Sequence, residues 1–407
     1  MREYDVLVIG AGPGGSGAAK SAAENGLKTL CIDKKLVIGS PVECGEAVGM
    51  SLPKEFNIKI APEAVNLKHD GTVFWANQNI KIDNYSEIWK SMSVNRHILD
   101  KTFAHEAVKS GAKLIVSAEF VDAKIEGNRV ISVDIRHMNK KLKVKPKIVI
   151  AADGLNSKMA ELLGRRKFKS IEIGKVAGYE MTNMKLAEPK KIQMFFEDMC
   201  GMGYGYIIPK SKTTANVGLG SLGIKETPWD VFDEFLEDHP IISPQVKDAS
   251  IIEVKTGFAP ISGPLSENVI GNTIFVGDAA GQNLSHVGEG AIPSQICGRL
   301  AGLISAQAIK NNKIEIINNY QKTIKETLGP LFNHCDKIRE KIIETWTSEE
   351  IPAEKRYLIG TILVSEIVPP ELGEFFENLI GLDEQTIITE VSKFLNKEKI
   401  KAKIMKN

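Results

Sequence analysis

An apolar strand runs straight into a glycine turn at the start of this chain. Tyr4-Asp5-Val6-Leu7-Val8-Ile9 leads into Gly10-Ala11-Gly12-Pro13-Gly14-Gly15. A second apolar run, Thr29-Leu30-Cys31-Ile32, ends in Asp33, eighteen residues past Gly15. Strand, G-x-G-x-x-G, helix, strand and terminal acid in this order predict a β-α-β unit that holds a dinucleotide. Gly10 permits the tight turn, Gly12 lets backbone approach a diphosphate, and Gly15 lets helix and strand pack closely. The helix N-terminus offers free N–H groups and the positive end of its dipole to that anion, with Gly14 in its first turn. Asp33 suits a ribose diol.

The pattern recurs. Lys147-Ile148-Val149-Ile150-Ala151-Ala152 runs into Asp153-Gly154, and Thr273-Ile274-Phe275-Val276 into Gly277-Asp278-Ala279-Ala280-Gly281. Continuous apolar runs of this length fit buried parallel strands, each delivering a polar turn to the carboxyl edge of one sheet. The intervening texture is different. Between 175 and 223, short runs broken by glycine and charge predict an antiparallel sheet. After Gly290, Ile292, Ile296, Leu300, Leu303, Ile304 and Ala308 recur at helical spacing, and amphipathic helices follow. The expected class is α/β: a Rossmann-like cofactor domain with an inserted antiparallel-sheet substrate domain and a C-terminal helical region. Residues 1–60, 91–165 and 270–310 form the first, 61–90 and 166–269 the second, and 311–407 the third.

At 407 residues the chain exceeds one ordinary core. Its formal net charge of +1 argues against nucleic acid as a partner. No apolar run reaches the roughly eighteen residues a membrane span needs. A strand beginning almost at once leaves no room for a signal peptide, and five cysteines without a C-x-x-C fit a reducing cytosol. The expected location is cytoplasmic, with peripheral contact on the inner face of the membrane as a further option. The lysines at 397, 399, 401, 403 and 406 would suit an anionic surface, or simply a solvated, frayed terminus. His286 and His334 lack metal-ligand spacing, so no metal site is expected.

Four stretches carry a resemblance to the geranylgeranyl reductase family, flavoproteins of the p-hydroxybenzoate-hydroxylase fold. They are the Gly10–Gly15 turn with Asp33; Pro41-Val42-Glu43-Cys44-Gly45-Glu46-Ala47-Val48, which looks like the cysteine-bearing flavin loop of archaeal lipid reductases; Ala151-Ala152-Asp153-Gly154; and Gly257-Phe258-Ala259-Pro260-Ile261-Ser262-Gly263-Pro264 with Gly277 to Gly281. A fifth is partial: where the family carries Y-x-W-x-F-P, this chain has Tyr204-Gly205-Tyr206-Ile207-Ile208-Pro209. The loop after Gly281 also departs, carrying Ser285-His286-Val287-Gly288-Glu289-Gly290 in place of a proline and triple glycine.

The resemblance implies FAD as cofactor and saturation of isolated C=C bonds in the geranylgeranyl chains of isoprenoid ether lipids. It assigns Cys44, Gly45, Ala47, Arg96, Asp153, Asp278, Gly290 and Ala291 to the cofactor alongside the glycine turn. It assigns Tyr204, Tyr206 and Pro209 to the substrate. Cys44 is the first candidate for the acid that protonates the alkene, with Tyr204 and Glu289 behind it. Plain structural alternatives stand beside these readings: a salt bridge from Arg96 to Asp100, a buried packing role for Cys44, and an ordinary sheet core for the tyrosines. Glu43 and Glu46 should hold the Cys44 thiol neutral. No second dinucleotide fingerprint is visible, so the reductant is external: a nicotinamide, a reduced deazaflavin or a ferredoxin. An aromatic hydroxylase or halogenase on the same fold, and a non-catalytic prenyl-lipid carrier, are the competing readings.

Overall fold

A computed structural model describes residues 2–222, 228–369 and 373–406. The chain divides into two compact units: residues 1–42, 96–169 and 259–333 form one, and 43–95, 170–258 and 334–407 the other.

The first unit is built on a parallel sheet. Strand β1 (Arg2–Ile9) is followed by helix α1 (Pro13–Glu24) and strand β2 (Thr29–Ile32). β1 pairs in parallel with β2 and with the strand Lys140–Ala151, which pairs in parallel with Thr273–Phe275; Lys113–Ile115 extends the sheet beyond β2. Val6, Leu7 and Val8 are buried, as are Ile148, Val149 and Ile150, which explains runs that are apolar on both faces. The antiparallel ribbon of Ala118–Glu126 and Arg129–His137 joins the edge of Lys140–Ala151. The helix Ala291–Lys310 packs on α1 so closely that a Cβ on Gly298 would sit 2.0 Å from the Gly14 carbonyl oxygen.

The second unit carries an eight-stranded sheet in the order Ser250–Pro260, Ile173–Thr182, Thr214–Leu222, Tyr204–Pro209, Lys191–Phe196, Gly71–Ala76, Ile80–Asn84, Ala402–Lys406. Ile173–Thr182, Thr214–Leu222, Tyr204–Pro209 and Lys191–Phe196 pair antiparallel in turn, Lys191–Phe196 pairs in parallel with Gly71–Ala76, and Gly71–Ala76, Ile80–Asn84 and Ala402–Lys406 pair antiparallel. One face packs a core of Phe195, Ile207, Val217 and Leu219 against Phe232 and Phe235. A small antiparallel sheet joins Ala47–Gly49, Ser91–Val94 and Val65–His69. The helix Ala353–Val364 packs on the strands Gly71–Ala76 and Lys191–Phe196. Asp383 caps the helix Glu384–Lys397 by accepting the Thr386 N–H at 3.0 Å.

The expected architecture is present, with different seams. Residues 43–60 group with the second sheet, because the strand Ala47–Gly49 pairs with Ser91–Val94. The C-terminal region does not form a third body: 311–333 belongs to the first unit and 334–407 to the second. Residues 61–90 supply two strands of the large sheet.

The lysine-rich end is not frayed either. Ala402–Lys406 is a strand on Ile80–Asn84, with Ile404 opposite Ile82 and only 4% exposed. The strand is hard to read because Ile404 is its only buried position and exposed Lys403 and Lys406 lie on either side of it. Ile404→Ala should lower the unfolding free energy in urea by about 2 kcal/mol; an unchanged transition midpoint would mean that the strand is not held.

Candidate functional site

The candidate residues fall into two groups, one on each unit. On the first unit, β1 ends at Gly10, whose N–H donates to the Ile32 carbonyl at 2.8 Å. Gly10 has φ +97°, and a Cβ there would lie 2.1 Å from the Ala152 oxygen; one on Gly15 would lie 1.8 Å from the Gly10 oxygen. Neither position tolerates a side chain. Gly12 is different. It is the N-cap of α1 in extended geometry, has no capping side chain, and has no atom within 4 Å of where a Cβ would stand. Pro13 follows at the first helical position. An uncapped helix N-terminus behind open space is an anion cradle, and a Cβ on residue 12 would project into it.

Asp33 ties this turn to the end of β2. One carboxylate oxygen accepts the Ala11 N–H and the other the Lys35 N–H, both at 2.8 Å. Lone pairs remain for a diol. Arg96 begins the helix Arg96–Lys109 and makes a two-point ion pair with Asp100, at 2.8 and 2.9 Å. The salt-bridge alternative is therefore real. The Arg96 guanidinium also acts on Asp278: burial pushes that carboxyl up, and Arg96 opposes the shift.

Asp278 lies in the short turn Gly277–Ala280, and its carboxylate accepts no hydrogen bond from the described residues. Gly290 sits against it as the N-cap of Ala291–Lys310, its Cβ position 3.4 Å from Asp278 Oδ1. Asp153 accepts the Met159 N–H through Oδ2 at 3.3 Å, while its Oδ1 is buried without a partner; burial raises this carboxyl also. Two carboxylates with idle acceptor oxygens, beside a turn that cradles anions, fit the hydroxyls of a dinucleotide cofactor. Glu289 forms a backbone bridge with Leu284, whose N–H it receives at 2.8 Å.

On the second unit, alternation puts Tyr204, Tyr206, Phe196 and Phe74 on the sheet face opposite the Phe195 core. Their rings form a row: Trp89 to Phe74 at 4.7 Å, Phe74 to Phe196 at 6.5 Å, Phe196 to Tyr204 at 5.8 Å and Tyr204 to Tyr206 at 6.4 Å. Tyr206 lies across its neighbours, because Gly218 on the adjoining strand has no side chain; a Cβ there would stand 2.3 Å from the phenol ring. The Cys44 loop covers this ring, with the Gly45 Cβ position 3.3 Å from it. Burial raises the Tyr206 phenol, and Cys44, Tyr204 and Glu46 add to the shift.

Cys44 is half-buried and the other four cysteines are buried. Its Sγ accepts the Glu46 N–H at 3.2 Å. Ala47 opens the strand paired with Ser91–Val94. The Pro209 carbonyl accepts Nε2–H of buried His69 at 2.9 Å, and Ser91 Oγ is 2.8 Å from Nδ1. Burial lowers His69, so the neutral ring accepts the Ser91 hydroxyl. Pro209 thus anchors its strand through its backbone.

Sequence reasoning missed a buried ionic cluster here. Glu46 Oε2 receives Lys210 Nζ at 2.8 Å, Asn216 Nδ2 at 3.0 Å and Lys255 Nζ at 3.2 Å. This alters the expected electrostatics: the Glu46 charge beside the thiol is compensated rather than bare. The one legible signal was Lys255, standing out of phase in a strand whose neighbours Val254 and Phe258 point outward.

The fold and cofactor turn define an FAD-dependent oxidoreductase: the family described as FAD dependent oxidoreductase matches residues 5–161. The geranylgeranyl reductase catalytic domain matches residues 172–259. A digeranylgeranylglycerophospholipid reductase of Methanococcus aeolicus is 39% identical over 86% of this chain and 89% of its own length. The namesake from Methanocaldococcus jannaschii is 37% identical over 93% and 100%. A geranylgeranyl bacteriochlorophyll reductase-like protein of Thermoplasma acidophilum superposes with a TM-score of 0.82 at 28% identity, covering 97% of this chain and all of the other. A flavin-dependent brominase, at TM-score 0.69 and 16% identity over 98% of both chains, shares the fold. The chain belongs to the geranylgeranyl reductase family of flavoproteins, and FAD is its cofactor.

Gly12→Val should yield a folded but colourless protein that visible titration cannot reload with FAD, because the side chain fills the cradle. Asp278→Asn tests the idle carboxylate. An acid whose folded pKa is raised destabilises the native state above that pKa and has no effect below its unfolded value, about 3.9. The variant apoprotein should therefore be more stable than wild type near pH 7 in urea titrations and equal to it at low pH. FAD should bind it more weakly.

Proposed function

We propose that this protein saturates the isolated double bonds of geranylgeranyl chains in isoprenoid ether lipids, as the names of its relatives describe for them. The observation that carries this reading is the aromatic row from Trp89 to Tyr206 with the Cys44 loop laid over its end. An unactivated alkene has no carbonyl to polarise. Its reduction needs an apolar wall that excludes water, and one placed proton.

FAD, once bound and reduced, supplies the hydride. The chain's own residues do the rest. Tyr204, half-buried toward the end of the row, meets the prenyl chain, and the buried rings of Phe196, Phe74 and Tyr206 back it as an apolar wall. The Cys44 thiol donates the proton to the second alkene carbon. Because its sulfur already accepts the Glu46 N–H, the thiolate left behind keeps a hydrogen bond that favours it. Tyr204 is the neighbouring hydroxyl, and Glu289 the acid on the other unit. The Gly10–Gly15 turn, Asp33, Arg96, Asp153, Asp278, Gly290 and Ala291 hold the cofactor on the first unit. Tyr206 and Tyr204 set the substrate's register.

The electron donor is external, whether nicotinamide, reduced deazaflavin or ferredoxin. Among the described residues no helix is long and apolar enough to cross a membrane. A peripheral stance at the inner face would let a lipid-borne chain reach the row.

The test is anaerobic turnover of chemically reduced enzyme with a digeranylgeranylglyceryl phospholipid, read by mass spectrometry as two hydrogens gained per bond. Product supports the reductase; reduced enzyme that never passes electrons to any prenyl lipid supports the carrier. Cys44→Ala should keep FAD and its reduction but slow alkene reduction by about 10² to 10⁴. Wild-type turnover in that variant would return Cys44 to packing and move the acid's role to Tyr204 or Glu289. Tyr206→Ala should change which bonds are saturated while leaving the flavin spectrum intact; unchanged regioselectivity would make it ordinary core.

A further inference from the structure

Glu46 is buried to 1% exposure and has φ +65°, in the left-handed region that a branched or long side chain rarely occupies. Nothing about the local sequence favours this; glycine would. Such a conformation is unfavourable and persists only where the surroundings impose it. The surroundings here are explicit. Lys210, Lys255 and Asn216 all donate to one carboxylate oxygen, and Lys210 and Lys255 are further held by Glu180 at 2.6 Å and Glu253 at 2.9 Å respectively. The Asn216 amide also donates to the Gly45 carbonyl at 2.8 Å, and the Glu46 carbonyl accepts the Val94 N–H at 2.8 Å. Hydrogen bonds to a charged group are among the stronger ones in a protein, and three of them converge here to offset the strain.

The consequence falls on the thiol. The Glu46 N–H that meets Cys44 Sγ lies in the same peptide plane as the Gly45 carbonyl, which Asn216 holds, so the clamp fixes the direction of that N–H. We propose that Glu46, clamped by Lys210, Lys255 and Asn216, is the positioning residue for Cys44: it fixes the N–H that orients the sulfur and sets how readily the thiol gives up its proton. This deepens the reading of Cys44 as the acid and rests on it. The charged and titratable groups gathered about the loop are Glu46, Lys210, Lys255, Glu180 and Glu253 from the cluster, Glu43 on the loop itself, and the Tyr204 and Tyr206 phenols beneath it. Removing the Glu46 charge leaves Lys210 and Lys255 under-compensated beside the sulfur and favours the thiolate. Removing a lysine charge leaves Glu46 under-compensated and favours the thiol.

The experiment uses FAD-loaded, oxidised protein and the rate of Cys44 alkylation by iodoacetamide as a function of pH. Cys44 is the one cysteine that is not buried, so mass spectrometry of the modified peptide reads it selectively. Glu46→Gln should move the alkylation midpoint to lower pH, and Lys210→Met and Lys255→Met should each move it to higher pH. Rates below the midpoint should change by about three- to tenfold. Glu46→Gly, which accepts the backbone angle but drops the clamp, should lose the slow, ordered reactivity and alkylate like an exposed peptide thiol. Midpoints that stay put, or that shift in one direction for all three charge variants, would overturn the proposal. The acid reading stands or falls separately. If the midpoints move in opposite directions while Cys44→Ala still reduces lipid at the wild-type rate, the clamp is real and the thiol is not the acid.

Discussion

The contact of Gly15 with the Gly10 carbonyl is the constraint on which the first unit turns. With no side chain on either residue, α1 settles directly onto the end of β1, and its N-terminus opens at the carboxyl edge of the sheet. Three carboxylates proposed for the cofactor follow strands of the same sheet. Asp33 ends β2, Asp153 follows Lys140–Ala151, and Asp278 follows Thr273–Phe275. The parallel register makes these three carboxylates neighbours in space although they are far apart in the chain. The buried Asp153 Oδ1, which has no partner, is an unfavourable feature of the protein alone, since a buried acceptor without a donor loses its hydration. A hydroxyl-rich ligand would offset that penalty, as the proposed site requires.

The second unit solves a different problem, placing a charge cluster next to an oily wall. Both lie on one sheet face. Tyr206 pairs across the ladder with Gly218, and Ile208 with Asn216, so the step from ring to amide is a single pleat. Glu180 faces Asn216 from the next strand, and Lys210 leaves the strand end two residues beyond Ile208. Burial alone would depress the Lys210 ammonium, yet Glu46 and Glu180 outweigh it and its pKa is raised. Lys210 therefore remains an ammonium, and an ionic cluster stands at the end of an aromatic row. Glycines make the compromise sterically feasible. At Gly218 the missing side chain is replaced by the Tyr206 ring, which fills the space with apolar surface while its hydroxyl reaches toward Gly178.

How much of this was legible in the sequence depended on the range of the interaction. The cofactor turn was legible because its chemistry is local: backbone angles and close approaches are written within a few residues of Gly10. The fold class followed from strand runs that are apolar on both faces. The carboxylates Asp153 and Asp278 were legible as ends of such runs. The seams between the units were not, because Ala47–Gly49 is too short to announce itself as a strand and its partner lies beyond forty residues of other structure. The lysines at the C-terminus looked solvated because lysine usually is; only Ile404 and its partner Ile82 fix that strand. Arg96 was ambiguous in sequence, and the structure keeps both sides of the ambiguity, since the guanidinium grips Asp100 and still bears on Asp278.

The ionic cluster is the instructive miss. Glu46 and Lys255 are separated by 209 positions and meet at 3.2 Å. Read locally, Glu46 is a bare acid next to a cysteine and argues for a thiol held neutral by repulsion. Read in three dimensions, its charge is spent on two lysines, and what reaches the sulfur is a backbone N–H. The two descriptions differ in what they ask of the reaction. Repulsion would make the thiol a reluctant acid, because the anion left after proton transfer would sit beside another anion. On the proposed role of Cys44 as the acid, a compensated carboxylate and a directed N–H would accompany the anion left after transfer in place of a second bare charge. A strained residue beside a reactive one is best explained by that difference, since the clamp acts on the state formed after the proton has left.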